Sequence, residues 1–357
     1  IAKGEKRDIL EFKKEHLAKR GDTTSTNGKY HFQVPLLEMI EEVDKLCDYK
    51  KKKALYDKAQ TGRYRRGIGL ALAFHGAGFT GSGERDLIKA VLKLKKHKDG
   101  RVEILCANID MGQGLKTTLS KIAGKELGIP FNEIIVKDPD TDQVPDSGPT
   151  VASRSLMIVG ELVRRAASKL KSQWKDGAEQ IFEERYKEPD FLIPFSLEEF
   201  RGDAYPTYSW SVQAVELEID MLTGQHNILG VYGSFDVGTP IDENIVTGQM
   251  EGGMLQGIGY SSMEYMDHDG RGRIRNNSLS DYIIPTAMDV PNMKVCLHVA
   301  EYPDGPYGAK GAGELPAVGT AAAYIEAAEQ ILGAKIDHIP FTVEDTMKVI
   351  SNKEEAK

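Results

Sequence analysis

Residues 305–320, Gly305-Pro-Tyr-Gly-Ala-Lys-Gly-Ala-Gly-Glu-Leu-Pro-Ala-Val-Gly-Thr320, run directly into an alanine-rich segment that ends at Gln330. Glycine permits backbone angles and close approaches that a Cβ forbids, and alanine is the strongest helix former. The pattern predicts a tight loop that delivers its single acid, Glu314, to the start of a helix. Between Gly313 and Leu315-Pro316 the carboxylate is expected to be desolvated, which raises a carboxyl pKa and suits it to general-base work. An ordinary glycine-rich turn with an exposed glutamate satisfies the same residues.

Upstream, short strand patterns alternate with long helical ones. Asp8 to Lys19 has helical spacing and stops at Gly21, and Asp22 to Gln33 is turn-like. Pro35 opens a second helix through Leu36, Leu37, Ile40, Val43 and Leu46. The run Lys50 to Lys53 reads as a solvated helix face. Gly67 to Phe74 reads as a buried strand, with Asp86 to Leu94 and Arg101 to Asp110 as two more. A helix over Gly114 to Leu127, a short strand at Ile134 to Val136 and a loop to Thr150 follow. Ser153 to Trp174 reads as a long helix. Tyr205 to Asp220 and Ile228 to Phe235 form a strand pair around a turn at Met221 to Gln225. Gly248 to Tyr260 reads as a glycine-punctuated helix and Met293 to Ala300 as a strand. The expected class is α+β, with mixed or antiparallel sheets and packed helices.

Bulk properties exclude several functions. A net charge of -8 over 357 residues argues against a chain that coats nucleic acid or a basic membrane surface. No apolar run approaches the roughly 20 residues of a membrane span. Three separated cysteines, Cys47, Cys106 and Cys296, make no disulfide framework or zinc pattern, so a reducing cytoplasm is expected. The eight histidines are scattered without ligand spacing, so no metal held by the protein's own side chains is expected. Ile1 opens a charged segment with no apolar core. It is not a signal peptide, and the chain is expected to begin mid-protein.

Several short motifs carry chemistry. Gly76-Ala-Gly-Phe-Thr-Gly81 fits the dinucleotide fingerprint, but Ser82 to Arg85 is expected to lead into a strand, so that reading is rejected. Met111-Gly-Gln-Gly114 sits where a strand gives way to a helix, a place where backbone N–H groups bind anions. Val144 to Ser155 gathers Thr150, Ser153 and Ser155 around another helix start, which plain capping also explains. Gly248 to Gly257 carries Gln249 and Gln256 seven residues apart on one face, on a helix whose glycines imply close packing.

Taken in order, Gly78-Phe-Thr80, Met111 to Gly114, Val144 to Ser155, Gly248 to Gly257 and Gly308 to Pro316 resemble the molybdopterin-binding large subunit of the xanthine dehydrogenase and aldehyde oxidase family. Glu216 to Asp220, Thr223-Gly224 and Asp236 to Gly238 extend the resemblance over about Asp22 to Ala334. Within the family, His75 to Glu84 and Pro145 to Ser155 look most like bacterial xanthine dehydrogenases described as selenium-dependent. The resemblance implies the C-terminal half of the large-subunit fold, with a helical extension over 1–62 packing on a missing upstream half. Cofactor-binding lobes are implied over 63–200 and 201–357. It implies Glu314 as catalytic base and Phe79 as the aromatic edge-on to substrate. Met111, Gly112, Gln113, Ala152, Ser153, Ser155, Gln249, Ala312 and Gly313 are implied as cofactor contacts.

The implied cofactor is molybdopterin, the cytosine dinucleotide form included, with molybdenum and a terminal sulfido or selenido ligand. The pterin dithiolene holds the metal. The family's upstream half, with its Arg-Gly-Phe-Gly-Gly motif, has no counterpart in this sequence. Partner chains bearing that half, [2Fe-2S] clusters and FAD are therefore implied. The implied activity is hydroxylation of an N-heteroaromatic carbon with water as oxygen source, on a purine such as xanthine or hypoxanthine. Nicotinate or aldehyde hydroxylation is the alternative within the family. A non-catalytic chain that only completes the cofactor cage is the alternative outside it.

Overall fold

The computed structural model describes residues 1–355 apart from Lys3 and Ala59. Three helices open the chain, α1 (Ile9–Glu15), α2 (Leu36–Cys47) and α3 (Tyr49–Tyr56), followed by the long strand β1 (Tyr64–Ala77). Next come β2 (Val91–Lys96), β3 (Val102–Leu105), α4 (Leu115–Leu127), β4 (Ile134–Val136), α5 (Gly160–Ser172) and β5 (Gln180–Arg185). The last part holds β6 (Thr207–Asp220), β7 (His226–Asp236), α6 (Glu243–Ser262), β8 (Met293–His298), α7 (Leu315–Leu332) and α8 (Val343–Glu355).

The strands form two mixed sheets, ordered β1-β6-β7-β8 and β4-β3-β2-β5. In the first, β1, β6 and β7 are antiparallel and β8 joins β7 in parallel. In the second, β2 pairs antiparallel with β3 and β5, while β4 is parallel to β3. The first sheet thus takes β1 from the stretch assigned to one lobe and its other strands from the stretch assigned to the next.

Alternation along β1 explains what lies on each side of that sheet. Side chains of a strand point alternately to its two faces. Ile68 and Leu70 join Leu36, Met39, Ile40 and Val43 of α2 in one core, with Val212, Ala214 and Tyr232. The opening helices, expected to pack on a missing half, therefore cover this sheet. The other face reads Gly67, Gly69, Ala71, Ala73, His75. A Cβ added at Gly67 would stand 2.4 Å from the Ala327 carbonyl oxygen, and one at Gly69 2.1 Å from that of Ala323. Those glycines let α7 lie directly on the strand. A separate core under α4 and α5 holds the second sheet, with Leu92, Leu94, Val102 and Ile104 against Leu119, Ile122, Leu162 and Val163.

The structure corrects the sequence reading at several points. Gly83–Ile88 is a π-helical turn, so the strand expected from Asp86 begins only at Val91. The strand expected over Arg101 to Asp110 is confined to Val102–Leu105. A helical turn does follow Gly76 to Gly81, contrary to expectation. The dinucleotide reading fails instead because β1 is antiparallel to its neighbour and no βαβ unit exists there. One of the four lysines on α3 reaches inward, Lys52 to buried Glu216 at 2.6 Å, while Lys53 pairs along the helix with exposed Asp57 at 2.7 Å. β5 and α8 have no counterpart in the sequence reading. No helix among the described residues is long and apolar enough to cross a membrane.

Candidate cofactor and catalytic site

The glycine-rich loop is anchored from below. Lys310 is buried and donates to Asp236 Oδ2 at 2.6 Å and to the Tyr208 carbonyl at 3.2 Å. Asp236 also accepts from the N–H groups of Gly238 and Ala300, at 3.1 and 3.2 Å. Burial pushes the Asp236 carboxyl upward against the pull of Lys310 and those two amides. The Ser209 hydroxyl holds the Gly311 carbonyl at 2.7 Å. A Cβ on Gly311 would lie 2.1 Å from the Ser153 carbonyl oxygen, so only glycine lets the two loops meet.

α7 then starts at Leu315 with Pro316 in its first turn, where the ring's fixed φ suits a helix and its missing N–H costs nothing. Gly253 and Gly257 of α6 seat Pro316 and Thr320, with added Cβ atoms at 2.2 and 2.6 Å. This is the bulky neighbour that the glycines of α6 implied. Gln249, also on α6, donates to the Gly313 carbonyl at 2.8 Å.

Glu314 consequently stands at the N-cap of α7, the end of a helix that favours negative charge. Its Oε2 accepts from the Ser153 hydroxyl at 2.6 Å, and its own N–H donates to the same hydroxyl oxygen at 3.1 Å. His75 Nε2 lies 3.5 Å from Oε2. The desolvation expected from the sequence is not supplied here. Leu315 and Pro316 are buried in the helix packing, and the Glu314 side chain is 53% exposed.

Ser153 is presented by an unusual backbone. Ala152 and Ser153 are consecutive left-handed residues, each with φ of 52°. Such angles are uncommon without glycine and persist only where surroundings enforce them. The enforcement is visible. The Gly78 N–H donates to the Ala152 carbonyl at 2.8 Å. Arg154, fully buried, makes a two-pronged contact with buried Glu84 at 2.8 and 2.7 Å, and bonds the carbonyls of Ser147 and Pro149, both at 3.0 Å. Glu84 also accepts from the Phe79 N–H at 3.3 Å. One buried ion pair thus ties the Phe79 loop to the Ser153 loop, and the geometry is the bidentate form that satisfies both charges. The Phe79 ring is partly exposed beside it.

The Met111 turn lies alongside. The Ile109 N–H donates to Thr150 Oγ1 at 3.0 Å, and the buried Asn108 amide donates to Ser155 Oγ at 3.3 Å. Ser155 is buried at the start of a π-helical turn, Ser155–Val159, where it secures this joint. The turn does not offer its amides outward as expected. Asp110 accepts from the N–H groups of Gly112, Gly114 and Lys116, at 2.9, 3.2 and 3.0 Å. Burial works against the ionised Asp110, but those three donors hold its carboxyl below the usual range. Gln113 accepts from the Met111 N–H and donates to the Ile109 carbonyl. The Met111 side chain is 68% exposed. Ile245 of α6 packs on Gly114, and Lys121 of α4 pairs with Asp242, which caps α6. Lys121 and the capping amides hold the Asp242 carboxyl low.

Hydrogen bonds and packing therefore link the loops of Phe79, Met111, Ser153 and Glu314 and the helix of Gln249 around the ends of β1, α4, α6 and α7. Sequence reasoning missed His75, Asp110 and the Arg154–Glu84 pair as members of this arrangement. Asp110 carried a local signal, an acid just ahead of a helix start. The other contacts cross long stretches of chain and have none.

Among the described residues, the backbone N–H groups of Ala152, Ser153, Ala312 and Gly313 donate to no protein acceptor. The residues that carry them are partly or fully exposed, and Gly313 has no side chain to block approach. Four free donors beside a carboxylate and a glycine edge fit a large polar cofactor rich in acceptor atoms.

Several known proteins are similar to this chain. The family profile described as "Molybdopterin cofactor-binding domain" matches residues 42–192 and 183–291. The chain is 28% identical to the xanthine dehydrogenase/oxidase of Gallus gallus over 92% of its own length and 25% of that protein's. It is 26% identical to the putative xanthine dehydrogenase molybdenum-binding subunit of Escherichia coli, over 94% of this chain and 48% of the other. The fold superposes on the CO dehydrogenase of Oligotropha carboxidovorans with a TM-score of 0.87 and 20% identity, covering 100% of this chain and 50% of that one. The chain thus spans half or less of the length of these relatives. With most of its two sheets inside the matched residues, this chain belongs to the molybdopterin cofactor-binding domain family.

Proposed function

We propose that the chain is the C-terminal half of the molybdenum-binding part of a hydroxylase acting on an N-heteroaromatic substrate, a purine such as xanthine or hypoxanthine, with Glu314 as general base. The observation that carries this reading is the placement of Glu314. It stands at a helix N-terminus, fixed on one side by the Ser153 hydroxyl, beside four unspent backbone donors. Relatives named for xanthine oxidation support the purine class. Gln113 and Gln249 shape the cofactor's loops, the amides of Ala152, Ser153, Ala312 and Gly313 hold its polar edge, and Phe79 lines the substrate side.

When bound, the molybdenum–pterin group supplies the two-electron oxidation. This chain's residues do the rest. Ser153 donates to Oε2 of Glu314 and so leaves Oε1 as the proton acceptor. The helix N-terminus is a favourable place for the negative charge of the carboxylate. A chain carrying the upstream half closes the site and excludes water, with iron–sulfur and flavin chains receiving the electrons. The assembly proposed is cytoplasmic.

The test is Glu314→Gln, which is nearly isosteric. The variant is expected to keep its assembly and its molybdenum while the reductive half-reaction slows by at least roughly 100-fold, the lower end for a lost general base. Anaerobic stopped-flow reduction, with metal analysis of the same sample, reads both. A fully loaded Gln variant that reduces at the wild-type rate rejects the base and favours a chain that only completes the cage.

A further inference from the structure

We infer that His75 is a positioning residue for Glu314, donating from Nε2–H to the same carboxylate oxygen that Ser153 holds. The inference rests on the reading of Glu314 as base and extends it to a residue outside the motifs of that loop. His75 is the last residue of the β1 face that reads Gly67, Gly69, Ala71, Ala73, His75. The four small residues lie under the body of α7, and the one large polar residue falls under its N-terminus, where Glu314 sits. His75 Nε2 is 3.5 Å from Glu314 Oε2, and the imidazole is 24% exposed. Its other nitrogen, Nδ1, is sealed in protein with no hydrogen-bond partner.

That asymmetry assigns the proton. Neutral imidazole carries one N–H and one bare lone pair. On Nδ1 the proton would meet no acceptor, and the bare Nε2 lone pair would then face the negative carboxylate of Glu314. The single proton therefore belongs on Nε2, facing the carboxylate. With the Ser153 hydroxyl at 2.6 Å, two donors then converge on Oε2, and Oε1 is left as the basic atom. At 3.5 Å the Nε2 contact is longer than a formed hydrogen bond. Catalytic hydrogen bonds of this kind tighten once the site is filled.

The test has two arms on the purified complex. Long-range ¹H–¹⁵N correlation spectra of histidine-labelled protein, with His75 assigned by its loss in His75→Gln, read the tautomer directly. The Nε2–H form is expected, and the Nδ1–H form overturns the inference. In the second arm, His75→Leu is expected to slow the reductive half-reaction by roughly tenfold with molybdenum content and melting temperature unchanged, while His75→Gln, which keeps an N–H donor, stays within about threefold of wild type. A folded, loaded Leu variant with the wild-type rate overturns the inference. If the Leu variant fails to fold, the tautomer decides alone. A wild-type rate in Glu314→Gln rejects the base, whereas a slow Glu314→Gln with a normal His75→Leu rejects only the role of His75.

Discussion

Asp110 occupies the amides that Met111-Gly-Gln-Gly114 was expected to present to a cofactor. Its carboxylate caps α4 from within, so the turn is shaped by the chain before any ligand arrives. Gln113 completes that shape by bridging the Met111 N–H and the Ile109 carbonyl. Its role toward the cofactor is therefore to hold the turn as well as to touch the ligand. Gln113→Ala removes two hydrogen bonds worth about 0.5–1.5 kcal/mol each. Because they belong to an exposed turn, the unfolding midpoint is expected to move little, while molybdenum content falls. Metal analysis beside thermal unfolding checks both halves, and unchanged occupancy reduces the segment to a helix-entry turn. At this scale much was legible. Glu314, Ser153, Gln249 and Gly313 were named from the sequence and form two hydrogen-bonded pairs, Ser153 with Glu314 and Gln249 with Gly313. Arg154 and Glu84 stood inside quoted motifs, yet their pairing was invisible. A bidentate contact across 70 positions depends on how two loops fold back, and no local pattern encodes it.

At the scale of elements, a half-buried imidazole ties α8 to the sheet, beside the core packing of Val349 and Ile350. His226 on β7 meets the Tyr324 hydroxyl of α7 through Nδ1 and the Thr346 hydroxyl of α8 through Nε2. Burial lowers the His226 pKa from 6.5 to about 4. The unfolded chain therefore binds a proton between pH 6.5 and 4 that the folded chain refuses. Stability is full above about pH 6.5 and is lost as pH falls toward 4, by up to about 3 kcal/mol from this group. Asp345, at the start of α8, is held well below its ordinary carboxyl range and loses its contribution only at still lower pH. Urea unfolding at pH 7, 5.5 and 4.5 is expected to show the first decline, and His226→Asn is expected to flatten it. A slope that persists in that variant moves the cause elsewhere. α8 escaped the sequence reading because its apolar positions are sparse among charges. β5 escaped because its burial alternates on a single edge strand. The strands near Asp86 shifted because a π-helical turn has no alternation to read.

For the whole molecule, the sheet order was the least legible feature, since β1 pairs with β6 across more than a hundred intervening residues and contact between distant segments follows from packing alone. The stretch between α6 and β8 leaves Leu279, Ile283 and Met288 at 81, 64 and 92% exposure. Beside it, Leu255, Tyr260, Ile284 and Val318 line a cavity of about 510 Å³, with Val318 about one helical turn along α7 from Glu314. Apolar surface of this extent marks a covered face. The chain is expected to purify from its native source with a second chain that buries this region. A monodisperse 39.4 kDa monomer that retains molybdenum is the result that sinks this expectation.

The bare face of β1 has a further consequence. With Gly67 and Gly69 touching the backbone of α7, the helix has no slack, and its 18 residues act as a rigid lever roughly 27 Å long. A single methyl at either glycine lifts the far arm and swings Glu314 away from Ser153. A misplacement of about 1 Å is enough to cost on the order of 100-fold in rate. The placement of the acid is therefore set in part by two hydrogen atoms far from the chemistry. Inactive yet folded variants should accumulate at positions that no map of the site would mark.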